Sequence, residues 1–319
     1  MNVDESPAAA DLQRVTVLLP VRNGMPLLPA ALTSCLDDLR DDDRILVLEN
    51  NSTDRTAEYV AQVADADPRV RLIRTGARSL PEALNAGIGL ATTQLLARMD
   101  ADDITLPGRF EAQRRAFAAR PELVLCGTQI KRFVHDPDRS ESVSRHPLDH
   151  ASIVSGLLRS RHVMTHASVM FSKTAADQIG GYWTHGLSED CDFFLRLSRR
   201  GQICNLPDVG YAVRFHGASA NATHQMEILL GMRFAAHRYS AGDADQLDYG
   251  QFREAMMSNP WRRWKIKLEA VSDNLYRSSQ IRLLESRRSA IGLLQLGGAG
   301  LLRMDKTVDR VLRSVSSRE

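Results

Sequence analysis

The stretch Thr93-Gln94-Leu95-Leu96-Ala97-Arg98-Met99-Asp100-Ala101-Asp102-Asp103 runs from an apolar segment straight into three carboxylates. Its first half predicts a short buried strand. Carboxylates crowded at a strand end repel one another and cost desolvation energy, so a cation usually compensates them. Oxygen-only ligands favour a hard divalent ion such as Mg²⁺ or Mn²⁺, and an ion held this way commonly bridges to phosphates. A solvated acidic turn would account for the same residues. The surrounding sequence has to decide between the two.

Upstream, Val15-Thr16-Val17-Leu18-Leu19 predicts a buried strand closed by Pro20, and Leu28, Ala31, Leu32, Cys35, Leu36 and Leu39 recur at helical spacing. Ile45-Leu46-Val47-Leu48 reads as a second strand, residues 54–66 as a helix capped by Ser52 or Thr53, and Val70-Arg71-Leu72-Ile73 as a third strand. Ser79-Leu80-Pro81-Glu82 carries a capping box with proline just inside the helix start. Residues 94–99 then form the fourth strand and 107–119 another helix. Such alternation predicts an α/β fold, a single mostly parallel sheet flanked by helices. Ligands of such sheets gather at the carboxyl ends of the strands. Polar clusters fall there: Asn23 after the first strand, Glu49 to Asp54 after the second, Asp100 to Asp103 after the fourth.

Downstream the pattern is less regular. Residues 131–145 are polar and loop-like, 167–171 resemble a strand, and 188–200 predict a helix with Phe193, Phe194 and Leu197 inward. From His224 onward the pattern is helical. Asn259-Pro260 marks a strong helix start, followed by a stripe of Trp261, Trp264, Leu268, Val271 and Leu275. The expected organisation is a flexible tail (1–13), a catalytic domain (14–220) and a helical basic C-terminal region (221–319).

Hydrophobic residues make up 43% of the 319-residue chain and charged residues 25%, the balance of an ordinary globular protein. Cys35, Cys126, Cys191 and Cys204 lie far apart with no CxxC pair, which argues against a zinc site and suits a reducing compartment. The N-terminus lacks the basic-then-apolar order of a signal peptide, and no apolar run reaches the roughly 18 residues of a membrane span. The expectation is a cytoplasmic protein, free or peripheral on the inner face of the membrane. The net charge of +2 conceals an asymmetry: residues 261–319 hold 13 Lys/Arg against 6 Asp/Glu, and residues 1–260 hold 28 against 33. An acidic body with a basic tail excludes nucleic acid as the expected partner and points to a metal-bound substrate and an anionic contact for the tail.

Further chemistry-bearing residues cluster late in the catalytic part. In Ser188-Glu189-Asp190-Cys191-Asp192, Ser188 can cap the following helix, whose dipole favours carboxylates in its first turn. Asp192 is read equally well as dipole partner and as catalytic group. Glu189 and Asp190 follow a Gly180-Gly181-Tyr182 turn and a loop containing Trp183, which suits a general base at an open edge. His216, in Tyr211-Ala212-Val213-Arg214-Phe215-His216-Gly217, can be a metal ligand, a phosphate donor or a polar strand end. His166, leading into an apolar strand, either lines the same cleft or is a satisfied semi-buried histidine.

In this order, residues 15–23, Ile45-Leu46-Val47-Leu48-Glu49-Asn50-Asn51-Ser52-Thr53-Asp54-Arg55-Thr56, Ala83-Leu84-Asn85-Ala86-Gly87-Ile88, 98–103 and Glu189-Asp190 resemble the family 2 glycosyltransferases of the A-type fold, over residues 14–220. The resemblance implies a metal-dependent, inverting transfer of a sugar from a nucleotide diphosphate sugar to a glycan or lipid-linked acceptor. It implies that Glu49 reads the nucleotide base, that Asp100 and Asp102 form the DxD motif for ribose and metal, and that Asp190 is the catalytic base beside Glu189. His216 would sit near the Mn²⁺ or Mg²⁺ ion or the diphosphate. The donor-side set is then Pro20, Arg22, Asn23, Glu49, Asn51, Asp54, Arg78, Asn85, Asp100 and Ala101, with His166 and Trp183 on the acceptor side. One departure is Glu49-Asn50 where the family more usually has Asp-Asp, which alters the reach toward the base. Rival readings are a nucleotidyltransferase, disfavoured because Pro20-Val21-Arg22-Asn23-Gly24 is not a Gly-rich phosphate loop, and a non-catalytic nucleotide-sugar-binding scaffold. A dinucleotide oxidoreductase lacks its GxGxxG. The C-terminal stripe has two readings: packing on the catalytic domain or a second subunit in a homodimer, or lying on an anionic membrane surface.

Overall fold

Val15–Val21 (β1), Arg44–Glu49 (β2), Val70–Arg74 (β3) and Leu95–Arg98 (β4) lie side by side in the order β3-β2-β1-β4, all parallel. Parallel neighbours need crossover connections, and Leu28–Asp38 (α1), Thr56–Ala66 (α2) and Leu80–Leu90 (α3) supply them. The strands are apolar on both faces because both faces are covered. Val15, Val17, Leu19, Ile45, Val47, Leu95 and Ala97 pack with Leu28, Ala31, Leu32 and Cys35 of α1. On the opposite face Leu18, Leu46, Leu48 and Leu96 pack with Ala83, Leu84 and Ile88 of α3. This computed structural model describes residues 13–139, 142–215, 225–242, 247–285 and 290–302. The expected N-terminal tail through residue 12, His216, the boundary at residue 220 and the chain beyond residue 302 lie outside the described residues.

The sheet then changes character. After Ile104–Thr105 (β5) and Arg109–Ala119 (α4) come Leu123–Phe133 (β6), Ser142–Val143 (β7), His150–Leu158 (α5), Met170–Ser172 (β8), Lys173–Gln178 (α6), Glu189–Ser198 (α7) and Gln202–Arg214 (β9). The full order is β3-β2-β1-β4-β8-β6-β9-β5. β8 is antiparallel to both β4 and β6, whereas β6 and β9 run parallel. The stretch that reads as a polar loop is partly strand. Lys131 pairs with Ala212 on one side and Val143 on the other, so flanking strands hold it extended despite its polarity.

Helix starts follow local chemistry, with two shifts from the sequence reading. Ser79 caps α3 by accepting from the Glu82 amide at 3.4 Å, but the Glu82 carboxylate reaches the Arg78 amide at 2.9 Å, so the box is not reciprocal. Neither Ser52 nor Thr53 caps α2; Asp54 Oδ1 accepts from the Thr56 amide at 3.0 Å.

Gln225–Ala241 (α8) buries Met232 and Ala235 in the same core as α3 and α7. Tyr249–Ser258 (α9), Pro260–Glu285 (α10) and Ala290–Leu302 (α11) follow. Asn259 starts α10 as its position suggests, its Oδ1 accepting from the Trp261 and Arg262 amides at 3.0 and 3.1 Å. The face α10 buries is not the sequence stripe. Ile266, Glu269 and Ala270 turn inward, with Glu269 paired to Arg233 of α8 at 2.6 Å, while Trp261, Trp264 and Val271 are exposed.

One buried side chain ties the sheet change together. Arg109, at the start of α4, donates to the carbonyls of Arg98, Ala167 and Val169 at 2.8, 3.1 and 3.4 Å and lies over the Phe110 and Tyr211 rings. It thereby fixes the end of β4 against the segment that leads into β8. Arg109→Met keeps length and apolar volume but removes the donors to the Arg98 and Ala167 carbonyls, while the Val169 carbonyl keeps the Arg98 amide, and each lost buried partner costs about 1–3 kcal/mol. We expect a loss of about 3 kcal/mol in urea unfolding; an unchanged midpoint would refute this role.

Candidate active site

The polar clusters meet at the carboxyl ends of β1, β2 and β4. Val21 stands opposite Glu49 in the β1–β2 register, and the Met99 amide donates to the Leu18 carbonyl at 3.1 Å, which sets the acidic run beside β1. The loops after β1 and β2 interlock. The Asn23 amide donates to Ser52 Oγ at 3.0 Å, the Thr53 amide to Asn23 Oδ1 at 2.8 Å, and the Met25 amide to Asp54 Oδ2 at 3.1 Å. Asn23 and Asn51 both adopt left-handed backbone (φ 53° and 54°), which asparagine tolerates better than most residues. Glu49 is buried, with Oε1 accepting from the Ser52 amide at 2.5 Å, so its carboxylate is fixed at the strand end. Asn23 and Asp54 thus devote their side chains to loop geometry, and hydrogen bonding from Thr56 holds the Asp54 carboxyl below the usual range. Pro20 pairs with Leu48 inside the sheet; Arg22, Asn51 and Arg78 are exposed at the rim.

Carboxylate oxygens of Asp100, Asp102 and Asp103 lie within 4.8 Å of one another. The three differ in environment. Asp103 is buried, its Oδ1 accepting from the Arg214 amide of β9 at 2.7 Å, and Arg214 Nε donates to the Asp102 carbonyl at 2.9 Å. Burial, then Asp100 and Asp102, push the Asp103 carboxyl well above the usual carboxylate range. Asp103 therefore anchors the turn, while Asp100 and Asp102 are half-buried with Ala101 between them. A cluster of oxygen donors this close fits a hard divalent ion.

Arg98, the last residue of β4, has a side chain only 3% exposed and forms an ion pair with Asp100. Among the described residues its Nε has no hydrogen-bond partner. The Asp100 amide is held separately, by Tyr211 Oη at 3.0 Å. Arg98 also acts on the second acidic segment. Burial first, then Asp190, push the Glu189 carboxyl up to about 7, against the pull of Arg98, with Asp100 adding to the rise. Arg98 thus pairs with one acidic segment and lies within electrostatic range of the other.

Backbone strain and a helix behind it set the second segment. Ser188 does not cap α7; it takes a left-handed conformation (φ 68°) and its Oγ donates to the Ile228 carbonyl of α8 at 2.9 Å. Gly231 of α8 leaves the room the Leu187 carbonyl needs, since a Cβ there would lie 2.0 Å from it. Asp190 Oδ1 accepts from the Cys191 amide at 2.8 Å at the helix start. Asp192 is buried between Arg196 and Arg238, at 2.6 and 2.8 Å, which identifies it as a structural ion-pair residue.

Asn85 of α3 meets the chain before the second acidic segment. Its Oδ1 accepts from the Tyr182 amide at 2.7 Å and its Nδ2 donates to the Tyr182 carbonyl at 2.8 Å, clamping the segment before Glu189 to α3. Gly181 (φ 72°) fits against this amide because a Cβ would come within 2.4 Å of Oδ1. Tyr182 stacks on Phe193 with centroids 3.9 Å apart and shares a 2.9 Å hydrogen bond with His166 Nε2. Burial, then Arg98, hold the His166 ring well below the usual histidine range. Trp183 packs against Phe234 of α8 and Tyr249 of α9. Sequence reading passed over Arg98, Arg109, Tyr182, Tyr211 and Arg214. The only signal was an arginine inside an apolar strand immediately before an acidic run.

The sequence model described as Glycosyl transferase family 2 matches residues 16–180. The amylovoran biosynthesis glycosyltransferase AmsE of Erwinia amylovora is 33% identical over 192 residues, covering 58% of this chain and 71% of that protein. S. aureus TarS 1–349, solved in complex with UDP-GlcNAc, is similar with a TM-score of 0.57 at 11% identity, over 85% of this chain and 83% of the other. The mannosyltransferase PcManGT from Pyrobaculum calidifontis, in complex with GDP-Man and Mn²⁺, gives 0.54 at 17% identity, over 91% and 92%. At these identities the structural likeness is one of fold.

The Glu189 environment gives a pH signature. Its folded value of about 7 lies above the ordinary 4.5, so its contribution to stability is full below the ordinary value and is lost as pH rises through about 7. Glu189→Gln lacks this loss. In metal-free buffer the variant should gain on the parent in urea unfolding across that window; parallel pH profiles would contradict the assignment.

Proposed function

This chain belongs to glycosyl transferase family 2, and we propose that it is a metal-dependent inverting hexosyl- or N-acetylhexosaminyl-transferase. On this reading it moves a sugar from a nucleotide diphosphate sugar, with UDP-sugars the first donors to test, to a hydroxyl of a glycan or lipid-linked acceptor in cell-surface polysaccharide or glycoconjugate synthesis. The observation that supports it is the cluster of Asp100, Asp102 and Asp103 at a parallel strand end, with Glu189 and Asp190 at a strained helix start near enough for Arg98 and Asp100 to act on Glu189. An acidic cluster and a separate carboxylate base suit a displacement with a phosphate leaving group.

In the proposed site Glu49 accepts from the nucleotide base and Asp100 meets the ribose. Arg98 beneath Asp100 holds that carboxylate in an ion pair. Asp102, with His216 as a second candidate, would hold Mn²⁺ or Mg²⁺, which when bound neutralises charge on a leaving diphosphate. Asp190 takes the proton from the acceptor hydroxyl as its oxygen bonds to the anomeric carbon and the bond to the diphosphate oxygen breaks. A single displacement from the opposite face inverts that carbon. Glu189, with its raised affinity for a proton, orients the acceptor rather than competing as base. Trp183 and His166 border the acceptor side.

Asp190→Asn should lower transfer by about 100-fold or more, the ordinary weight of a general base, while calorimetric donor binding survives. Lost donor binding by a folded variant would move Asp190 to the donor or metal site. Excess chelator should abolish transfer, with recovery on adding Mn²⁺ or Mg²⁺; undiminished turnover would rule out the role assigned to Asp102.

A further inference from the structure

Most of the large apolar side chains left exposed among the described residues belong to two helices. Trp261, Trp264 and Val271 of α10 and Ile291, Leu293, Leu294 and Leu301 of α11 all face outward, Trp261 and Leu301 at 78% and Leu294 at 76% exposure. Isolated exposed apolar residues need no explanation, but a concentration of this kind marks an interaction surface. The two helices pack on each other, with Ser272 Oγ donating to the Ala299 carbonyl at 3.0 Å and Gly298 in contact range of Leu275. Leu293, Leu294, Gly297, Gly298 and Leu301 line an open apolar groove on α11.

Charge identifies the occupant. Arg262, Arg263, Lys265 and Lys267 are exposed beside the two tryptophans, and residues 261–319 hold 13 basic against 6 acidic residues. A second copy in a twofold contact would set this basic segment against itself. A lipid surface carrying negative headgroups satisfies both features: apolar side chains enter the acyl boundary, tryptophans sit at headgroup level, and the cations meet the phosphates. α11 contains no charged residue over Ala290–Leu302. At about 1.5 Å per residue it is roughly 20 Å long, short of the hydrocarbon core of about 30 Å, and no described helix is long and apolar enough to cross a membrane.

We propose that the exposed faces of α10 and α11 dock this protein in the plane of an anionic lipid surface. The proposal stands on these faces and does not depend on the donor assignment. The helices are also tied to the site: Glu269 of α10 grips Arg233 of α8, and α8 holds the Ser188 hydroxyl next to Glu189.

The test is co-sedimentation of the full chain with phosphatidylglycerol-containing vesicles and with pure phosphatidylcholine vesicles, at low and high salt. The parent should pellet with the anionic vesicles and be released by salt. Neutralising Arg262, Arg263, Lys265 and Lys267 to Gln should weaken partitioning by roughly fivefold per charge. Leu294→Ser with Leu301→Ser should cost about tenfold or more. Donor hydrolysis should be unchanged in these variants, which separates docking from folding and from the catalytic reading. A parent that stays in the supernatant, or variants that partition like the parent, would overturn the proposal. A dimer in sedimentation velocity that the leucine substitutions dissociate, without vesicle recruitment, would assign the surface to a second copy.

Discussion

Arg98 closes β4 with its guanidinium almost wholly buried and the Asp100 carboxylate against it. Burying a charge costs several kcal/mol unless a partner of opposite sign accompanies it. An arginine at this position therefore obliges the chain to bring acidic groups to the same place, and it does so from both directions. Asp100 follows immediately and pairs with it, and Glu189 at the start of α7 stands within range of its field. In turn the arginine makes tolerable a concentration of carboxylates that would otherwise repel one another. Arg109 works one layer below, tying the Arg98 carbonyl to those of Ala167 and Val169.

Backbone strain gathers around the same point. Among the described residues other than glycine, Asn23, Asn51, Ser160 and Ser188 have positive φ, and all but Ser160 border the candidate site. Such conformations persist only where the surroundings determine them. The interlocked hydrogen bonds of the β1 and β2 loops do so for the asparagines, and α8 does so for Ser188 through Ile228 and Gly231. The C-terminal helices thus take part in shaping the site before any question of what their outer faces touch.

How much of this was legible follows from the kind of signal each part leaves. The strands of the parallel half are buried on both faces and read as unbroken apolar runs, so their order and the polar strand ends could be taken from the sequence. Residues 131–133 defeat that approach, because Lys131 and Arg132 are held in β6 by strands on both sides rather than by their own preference. Residues 167–171 read as a strand, of which only 170–171 belong to β8, and its antiparallel entry left no mark in the sequence. At the site, carboxylates at strand ends and helix starts stood out as chemistry, whereas Arg98, Arg109 and Tyr211 are polar groups on core positions, and periodicity cannot distinguish them from errors in an apolar pattern. Asn85 shows the converse: a polar residue in a recognisable segment invites a ligand, while both ends of its amide meet the backbone of Tyr182. The α10 stripe misled in another way, since amphipathicity locates an apolar face without saying what covers it.

The Asn85–Tyr182 clamp has a consequence for inheritance. It joins a helix of the parallel half to the segment that delivers Glu189 and Asp190, and it fits only because residue 181 is glycine. The two halves are therefore not interchangeable cassettes. A recombinant that takes its first half from one ancestor and its second from another retains this junction only if asparagine and glycine descend together, so the most permissive crossover points lie where both partners stay on the same side of the cut.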